Sequence, residues 1–269
     1  MMKLHILSTL FICLLASLFV LPLVLLFIQA CIPMGEAVLV AQGILPLKLL
    51  PLPFSLEQFS ALFSAYEEFW KRVYHDLVWS SLAAAIQVFV SIVNGYILSK
   101  YKNRYSEFIS VIFTLAVIMP VQVFLIPIYR ITRWVGLANC SFILYLPLAF
   151  APLGSILMRQ VNLRLPDECV EHLRLEGGDF RQLLFYVVIP FCQMPALVLF
   201  LFSFVECWGM VEYPLILLTN KADYPLSMLL YDMRVTQPQI IYAASAIALM
   251  PIIAFVIVYV CQRKYLDVD

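Results

Sequence analysis

Six stretches of the chain are apolar over about the 20 residues that a helix needs to cross a hydrocarbon core. Apolar residues make up 64% of the 269 positions and charged residues only 13%, which is more apolar surface than a soluble fold of this length buries. We therefore predict an all-α integral membrane protein with six transmembrane helices in one domain. The predicted spans cover roughly residues 6–28, 77–98, 108–129, 141–158, 191–218 and 240–261.

Two of these runs depart from the simple pattern. The first has the position of a signal peptide, but its apolar part is longer than the ~7–15 residues of a signal sequence, so we expect a retained helix. The fifth run starts at Phe185 and carries Pro190 and Pro195. Because proline removes a backbone donor, we expect a bent lead-in before the span proper.

Basic residues near the ends of the runs indicate which side of the membrane each connection occupies. An even number of spans places both termini on the same side. With the termini in the cytoplasm, ten basic residues lie inside and seven outside. The basic residues in 100–104 and 262–264 lie directly at helix ends, where such charges count most. We predict cytoplasmic termini.

The sequence shows no constellation for catalysis, and none for a metal or another cofactor. Its eight glycines include no GxxxxGK[ST] phosphate-binding loop, so the chain does not hydrolyse ATP by itself. A formal net charge of zero gives no reason to expect nucleic acid as a partner. Seven scattered cysteines without CxxC spacing are interpreted as small buried hydrophobes: Cys13, Cys31, Cys140, Cys169, Cys192, Cys207 and Cys261.

Residues 160–184 form an unusually long polar connection between the fourth and fifth runs, within a loop region that extends to about residue 190. Acidic residues after Pro166 favour a helix N-terminus, and the helix is predicted to continue to Glu176. Gly177 and Gly178 end it, and Asp179 begins a second helix with a capping box to Gln182. The predicted apolar faces of the two helices are Cys169, Val170 and Leu173, and Phe180, Leu183, Leu184 and Val187.

This helix–turn–helix has two interpretations on its spacing alone. A connection of about 25 residues with a compact shape indicates a docking surface for a cytoplasmic protein. The other interpretation is an amphipathic pair of helices lying on the lipid headgroups.

The same segment resembles the cytoplasmic EAA loop of permease subunits of binding-protein-dependent ABC transporters. That loop reads Glu-Ala-Ala, two residues, Asp-Gly, and Pro thirteen positions after the Gly. Here Glu171-His172-Leu173 is followed by Glu176-Gly177 and by Pro190 at that distance. Further motifs resemble those of the carbohydrate (maltose-type) group: Leu165 to Glu168, Met119 to Gln122, Ile126 to Tyr129, Gly136-Leu137, Trp208 with Pro214-Leu215, and Tyr224 to Leu226.

The resemblance implies an ATPase-coupling loop built by Glu171, His172, Leu173, Glu176, Gly177, Gly178 and Pro190. Where the family prefers two alanines this chain has His172 and Leu173, and Gly178 replaces an alanine. Glu176 replaces aspartate, and Gly209 replaces the asparagine that usually follows the tryptophan. We expect these departures to reshape the groove of the partner while keeping the charge and the turn.

The resemblance also implies partners. These are a second six-span permease subunit, two cytoplasmic ATP-binding subunits and an extracytoplasmic substrate-binding protein, with membrane lipid around the spans. The implied function is ATP-driven import of a sugar, oligosaccharide or related polyol through the cytoplasmic membrane. The alternatives are an importer of a non-sugar solute, an ion-gradient-driven secondary carrier, and a membrane scaffold without transport.

Polar residues within the spans are candidates for the substrate pathway because they are costly in lipid. Glu206 lies deeper in the fifth span than Glu212, and a carboxylate near Trp208 suits a sugar. Trp208 and Glu212 are four residues apart, so we expect them to share a face of the fifth span. Gln87 and Asn94 share a face of the second span, and Gln122 interrupts the third. For all of these the alternative is a helix-to-helix hydrogen bond.

Overall fold

The computed structural model describes residues 2–101, 103–137, 140–220 and 223–266, with only the backbone for 2–10 and 263–266. Every regular element in those ranges is helical. A π-helical turn at Leu184–Val188 joins α10 to α11. The α-helices are α1 Met2–Ala30, α2 Met34–Ala41, α3 Glu57–Ala65, α4 Glu67–Lys100, α5 Arg104–Ile118, α6 Val121–Trp134, α7 Phe142–Ala149, α8 Pro152–Asn162, α9 Asp167–Leu175, α10 Phe180–Leu183, α11 Ile189–Phe191, α12 Gln193–Trp208, α13 Glu212–Leu217, α14 Leu226–Thr236 and α15 Ile241–Leu266.

Four stretches of the described chain are long and apolar enough to cross a membrane, and two bent helix pairs would raise the number to six. The four are Phe11–Ala30, Glu67–Lys100, Phe142–Asn162 and Ile241–Gln262. They overlap the first, second, fourth and sixth predicted spans. The total of six spans stays a prediction. The placement of the termini in the cytoplasm also stays a prediction. Three of the basic residues on which it depends lie outside the description, namely Lys102 and the side chains of Arg263 and Lys264.

The third predicted span is not a straight helix. Helices α5 and α6 meet at 104°, and Met119 between them has extended backbone angles of φ −69° and ψ 134°. Pro120 explains the bend, because a proline disfavours the helical conformation of the residue before it. The prediction of one continuous helix here was wrong.

The fifth predicted span is broken twice. Its lead-in, Phe180–Phe191, meets α12 at 78° across Cys192, which confirms the predicted bend. The π-helical turn precedes Pro190, which has no N–H to give to the carbonyl four residues before it. At the other end α12 stops at Trp208, with Gly209 as its C-cap, and Glu212 starts a new helix. Trp208 and Glu212 therefore do not share one helix face, and that prediction was wrong.

Three helices in the described ranges lie outside both the predicted spans and the connection of residues 160–190. Helices α2 and α3 lie in the proline-rich connection after α1, and α14 lies between the fifth and sixth predicted spans. Periodicity does not reveal them, since each has 11 residues or fewer. Helix α4 begins at Glu67, ten residues before the second predicted span, and its first turns are polar.

The chain divides into two compact units. The first comprises residues 1–73 and 228–251, and the second comprises 74–227 and 252–269. In the first, the buried Gln58 amide donates to the carbonyl oxygens of Gln29 and Ile32 at 2.8 and 3.0 Å. The Gln29 amide in turn donates to the Lys48 carbonyl at 2.7 Å. The Gln58 amide satisfies carbonyl groups that remain open where α1 ends, and the Gln29 amide attaches the following connection to that end.

The core of the second unit depends on a close approach of α4 and α8. A Cβ at Gly95 would lie 2.6 Å from the backbone carbon of Met158. One residue earlier, the Asn94 amide donates to the Ser155 hydroxyl at 3.3 Å. Small residues allow such contact between helices in membranes, and the amide adds a hydrogen bond across it.

Asp76 is a second fixed point of this unit. Its side chain is buried, and it accepts hydrogen bonds from the Tyr145 hydroxyl at 3.0 Å and from the backbone N–H of Leu226. One carboxylate thereby ties α4 to α7 and to the start of α14. A buried carboxylate is tolerated because donors satisfy it on both oxygens.

The Gly95 contact yields a stability prediction. Gly95→Ala places a methyl group against backbone that has no room to move, which costs roughly 1–3 kcal/mol. We expect the unfolding midpoint in detergent, followed by tryptophan fluorescence, to fall by roughly 2–10 °C. Gly35→Ala is the matched control, because no atom lies within 4 Å of its Cβ position. Equal midpoints for Gly95→Ala and the parent protein would contradict the contact.

Candidate functional site

The connection between α8 and α12 is a folded helix pair. Helix α9 starts after Pro166, with Asp167 and Glu168 in its first turn. It ends where Gly177 has φ +82°, a conformation that glycine adopts without penalty. The N–H groups of Gly178 and Gly177 bond to the carbonyls of Leu173 and Arg174 at 2.9 and 3.1 Å. This is the Schellman pattern, which closes the helix and reverses the chain.

The second helix starts with the predicted capping box, which is confirmed. The backbone N–H of Gln182 donates to Asp179 Oδ1 at 2.8 Å, and the Asp179 N–H donates to Gln182 Oε1 at 3.0 Å. These two bonds satisfy donors that the first turn of a helix leaves open. Both ends of the glycine turn are thus closed by hydrogen bonds.

The helix pair is packed onto the C-terminal part of α4. Val170 and Leu183 are buried in one apolar cluster with Ile92 and Tyr96. At the end of α4 the Lys100 ammonium donates to the Leu165 carbonyl at 2.6 Å and to Asp167 at 2.5 Å. The Lys100 side chain is 15% exposed and the Asp167 side chain 76%, so only the lysine end of this ion pair is shielded from solvent. These contacts attach the start of α9 to the end of α4.

The opposite side of α9 is exposed. His172 and Glu176 are exposed there, and the Leu175 side chain is 85% exposed. Glu171 is exposed as well, at the edge of α9 that borders the end of α4. Leu175 is thus an exposed apolar side chain at the end of α9, next to charged residues.

Part of the predicted apolar faces was wrong. Cys169 is exposed, although it was assigned to the buried face of α9, and Phe180 is 44% exposed. Val170 and Leu183 occupy the protected positions, while Leu173 is half-buried. The spacing of apolar residues does not fix which of two neighbouring positions faces the core when a helix has only nine residues or fewer.

A polar cavity of about 300 Å³ lies between α9 and the end of α4. It brings Lys100 and Arg174 together with Asp167 and Glu171, beside the buried Tyr96. Opposite charges are balanced in it.

Trp208 and Glu206, two candidates for the substrate pathway, lie in different surroundings in the structure. Trp208 is buried and stacks on Phe204 with ring centroids 5.5 Å apart. Glu206 is exposed and has no hydrogen-bond or ion-pair partner in the described part of the chain. Its carboxylate and the Trp208 indole thus lie in different surroundings.

Gln122 and Glu212 come together although they are 90 positions apart. The Gln122 amide donates to Glu212 Oε1 at 2.7 Å, in an exposed position. Both residues follow helix breaks, since α6 begins at Val121 and α13 at Glu212. The bend that the continuous-span prediction lacked is what brings them into contact.

Gln87 and Asn94 lie inside the helix packing. Gln87 is 1% exposed, and neither polar atom of its amide is hydrogen-bonded to a described residue. Asn94 is half-buried and bonds to Ser155. This position favours the structural alternative for Asn94. Among the described residues no group of three or more His, Cys, Asp or Glu side chains is placed to hold a metal ion.

Two features were missed from the sequence. The first is the Lys100–Asp167 ion pair. The available signal was a basic residue just after the end of the second predicted span. The second is the buried Asp76. It lies just before a predicted span, but its burial can be recognised only when Tyr145 and Leu226 are known to donate hydrogen bonds to it.

Relatives with named functions are transport permeases. The chain is 24% identical to the arabinooligosaccharides transport system permease protein AraQ of Bacillus subtilis, over 96% of this chain and 90% of that one. It is 24% identical to the lactose transport system permease protein LacG of Rhizobium radiobacter, over 60% of this chain and 62% of that one. It is also 24% identical to the sn-glycerol-3-phosphate transport system permease protein UgpE of Brucella abortus, over 66% and 64%.

The fold has a counterpart of known structure. A chain in the crystal structure of a bacterial ABC transporter involved in the import of the acidic polysaccharide alginate matches with a TM-score of 0.78 and 20% identity. The match covers 98% of this chain and 96% of that chain. The family model for the binding-protein-dependent transport system inner membrane component matches residues 87–267, which is more than half of the sequence. The chain therefore belongs to this family of inner-membrane transport components and is not an enzyme.

Proposed function

We propose that this chain is a permease subunit of an ATP-driven importer, and that it forms half of the pathway for a sugar, oligosaccharide or related polyol. The observation that carries the proposal is the closed helix pair of residues 167–183, which is packed onto α4 on one side and exposed on the other. Relatives named for arabinooligosaccharides and lactose support the sugar assignment.

The helix pair has the mechanical properties that coupling to an ATPase needs. Force passes through an element only if the element is stiff and has a firm attachment. The Schellman turn and the capping box supply the stiffness. The apolar cluster with Ile92 and Tyr96, together with the Lys100–Asp167 pair, supplies the attachment.

The residues of the loop take distinct roles in this proposal. Glu171, His172 and Glu176 present charge and hydrogen-bonding groups to the cytoplasmic ATPase, with Leu175 as the apolar contact. Gly177 and Gly178 shape the turn, and Leu173 packs beneath it. Pro190, exposed within α11, marks the place where the lead-in joins the fifth span.

The proposed assembly has two permease subunits, two cytoplasmic ATP-binding subunits and an extracytoplasmic binding protein. Both termini and the loop of residues 160–190 lie in the cytoplasm, and the six predicted spans cross the inner membrane. Each bent pair, α5 with α6 and the lead-in with α12, counts as one span.

For the pathway we propose Glu206 and Gln122, because both are exposed polar groups at membrane level. Trp208, Asn94 and Gln87 remain candidates with a smaller role, since Trp208 and Gln87 are buried and Asn94 bonds to Ser155. Their substitution tests packing as much as transport.

Leu175 gives a direct test of the docking surface. Leu175→Asp replaces the apolar contact with a charge, and burial of one leucine stabilises a complex by about 1.5–3 kcal/mol. We expect cargo-stimulated ATPase activity of the reconstituted complex to fall at least tenfold. Leu175→Met, the matched control, keeps the contact and should retain most of the activity. Full activity in Leu175→Asp would remove this surface from the mechanism.

Gly177 tests whether the turn must be stiff. Gly177→Ala places a side chain at φ +82°, which costs about 1–2 kcal/mol. We expect faster hydrogen exchange of the amides of 167–175 and weaker coupling of ATP hydrolysis to transport. Gly177→Asn is the control, because asparagine tolerates this conformation better. If alanine and asparagine give the same exchange rates as glycine, the strained turn has no role.

A further inference from the structure

Glu206 is a carboxylate at membrane level without a countercharge. In 108–129 and 193–217, the stretches that carry Gln122 and Glu206, the only residues with a formal charge are Glu206 and Glu212. Glu212 accepts a hydrogen bond from the Gln122 amide, which carries no charge. The basic residues Arg130 and Arg133 follow two turns or more beyond Gln122, and Arg133 bonds to the Tyr129 hydroxyl at 2.9 Å.

The two carboxylates lie on either side of a helix break. Glu206 is in the last turn of α12, which ends at Trp208, and Glu212 is the first residue of α13. The Glu212 carboxylate meets the Gln122 amide where α6 and α13 begin. In membrane transporters, interrupted helices typically surround the solute site.

An exposed carboxylate in a span is unfavourable in lipid, so Glu206 faces water, solute or another subunit. The formal charges in these two stretches are both negative, so the stretches contribute a negative potential, and low-dielectric walls strengthen it. Sugar hydroxyls and amines donate hydrogen bonds to a carboxylate, whereas a solute carboxylate or phosphate is repelled by it.

We propose that Glu206 is a specificity-determining residue that limits the cargo to neutral or amine-bearing glycans and excludes anionic ones. This inference rests on the proposed function and narrows it. It places the cargo with the uncharged sugars for which AraQ and LacG are named, and apart from the phosphate ester for which UgpE is named.

The direct test uses the complete complex in proteoliposomes with its binding protein. The probes are arabinotriose, lactose, a glucosamine disaccharide, sn-glycerol 3-phosphate and an alginate trisaccharide. We expect at least tenfold stimulation of ATP hydrolysis by one of the first three and none by the two anions. Stimulation mainly by an anion would overturn the inference while leaving the proposed function intact. A complex that no solute stimulates, and that transports none, would remove both.

Charge variants connect the selectivity to this residue. Glu206→Gln should raise the KM for a stimulating glycan at least fivefold, and Glu206→Lys should abolish its transport. Glu107→Gln is the matched control, since Glu107 is an exposed carboxylate in the first turn of α5. An unchanged KM in both Glu206 variants would contradict the assignment.

A second measurement needs neither the cargo nor the ATPase. In a variant without native cysteines, Gly209→Cys places a thiol three residues after Glu206, at a position with only one neighbouring atom within 4 Å. We measure the rates at which this thiol reacts with a positively charged and with a negatively charged methanethiosulfonate. Each rate is divided by the rate at which the same reagent reacts with 2-mercaptoethanol in solution, which corrects for its intrinsic reactivity. We expect the corrected rate of the cationic reagent to exceed that of the anionic reagent at least fivefold. The ratio of these two corrected rates should approach one when Glu206→Gln is added. A ratio near one with Glu206 present, or a thiol that neither reagent reaches, would overturn the inference.

Discussion

The attachment of the cytoplasmic helix pair to α4 is the constraint on which the functional account depends. Lys100 is the last residue of a 34-residue helix, and its ammonium holds both the Leu165 carbonyl and Asp167 at the start of α9. Val170 and Leu183 add apolar contact with Ile92 and Tyr96 of the same helix. Because these contacts lie on one side of the pair only, the other side stays exposed. In the proposed function, a displacement of that exposed side is passed to α4 rather than absorbed by a flexible connection.

Composition and local chemistry predicted much of this arrangement. The apolar runs predicted four of the long helical stretches closely, since lipid leaves the backbone no other way to satisfy its hydrogen bonds. The glycine turn and the capping box were also predictable, because both depend on residues within a few positions of each other. Local motifs of this kind are read directly from the order of residues.

Long-range geometry was not predictable in the same way. Pro120 disfavours a helical conformation at Met119, but nothing in the sequence indicates that the resulting bend reaches 104°. That bend and the break after Gly209 bring Gln122 to Glu212, while Trp208 turns inward onto Phe204. A helix-period argument assumes a straight helix, so it failed where proline and glycine interrupt one. The burial of Asp76 likewise depends on a tyrosine 69 positions away.

The central claim, that the exposed side of α9 contacts an ATP-hydrolysing subunit, is tested most directly by site-specific photo-cross-linking in intact cells. A photoreactive amino acid replaces His172, which is exposed on that side. The account predicts one dominant cross-linked product that contains a nucleotide-binding subunit, formed in the cytoplasm. A product formed only with lipid, or with a protein on the outer face of the membrane, would contradict it.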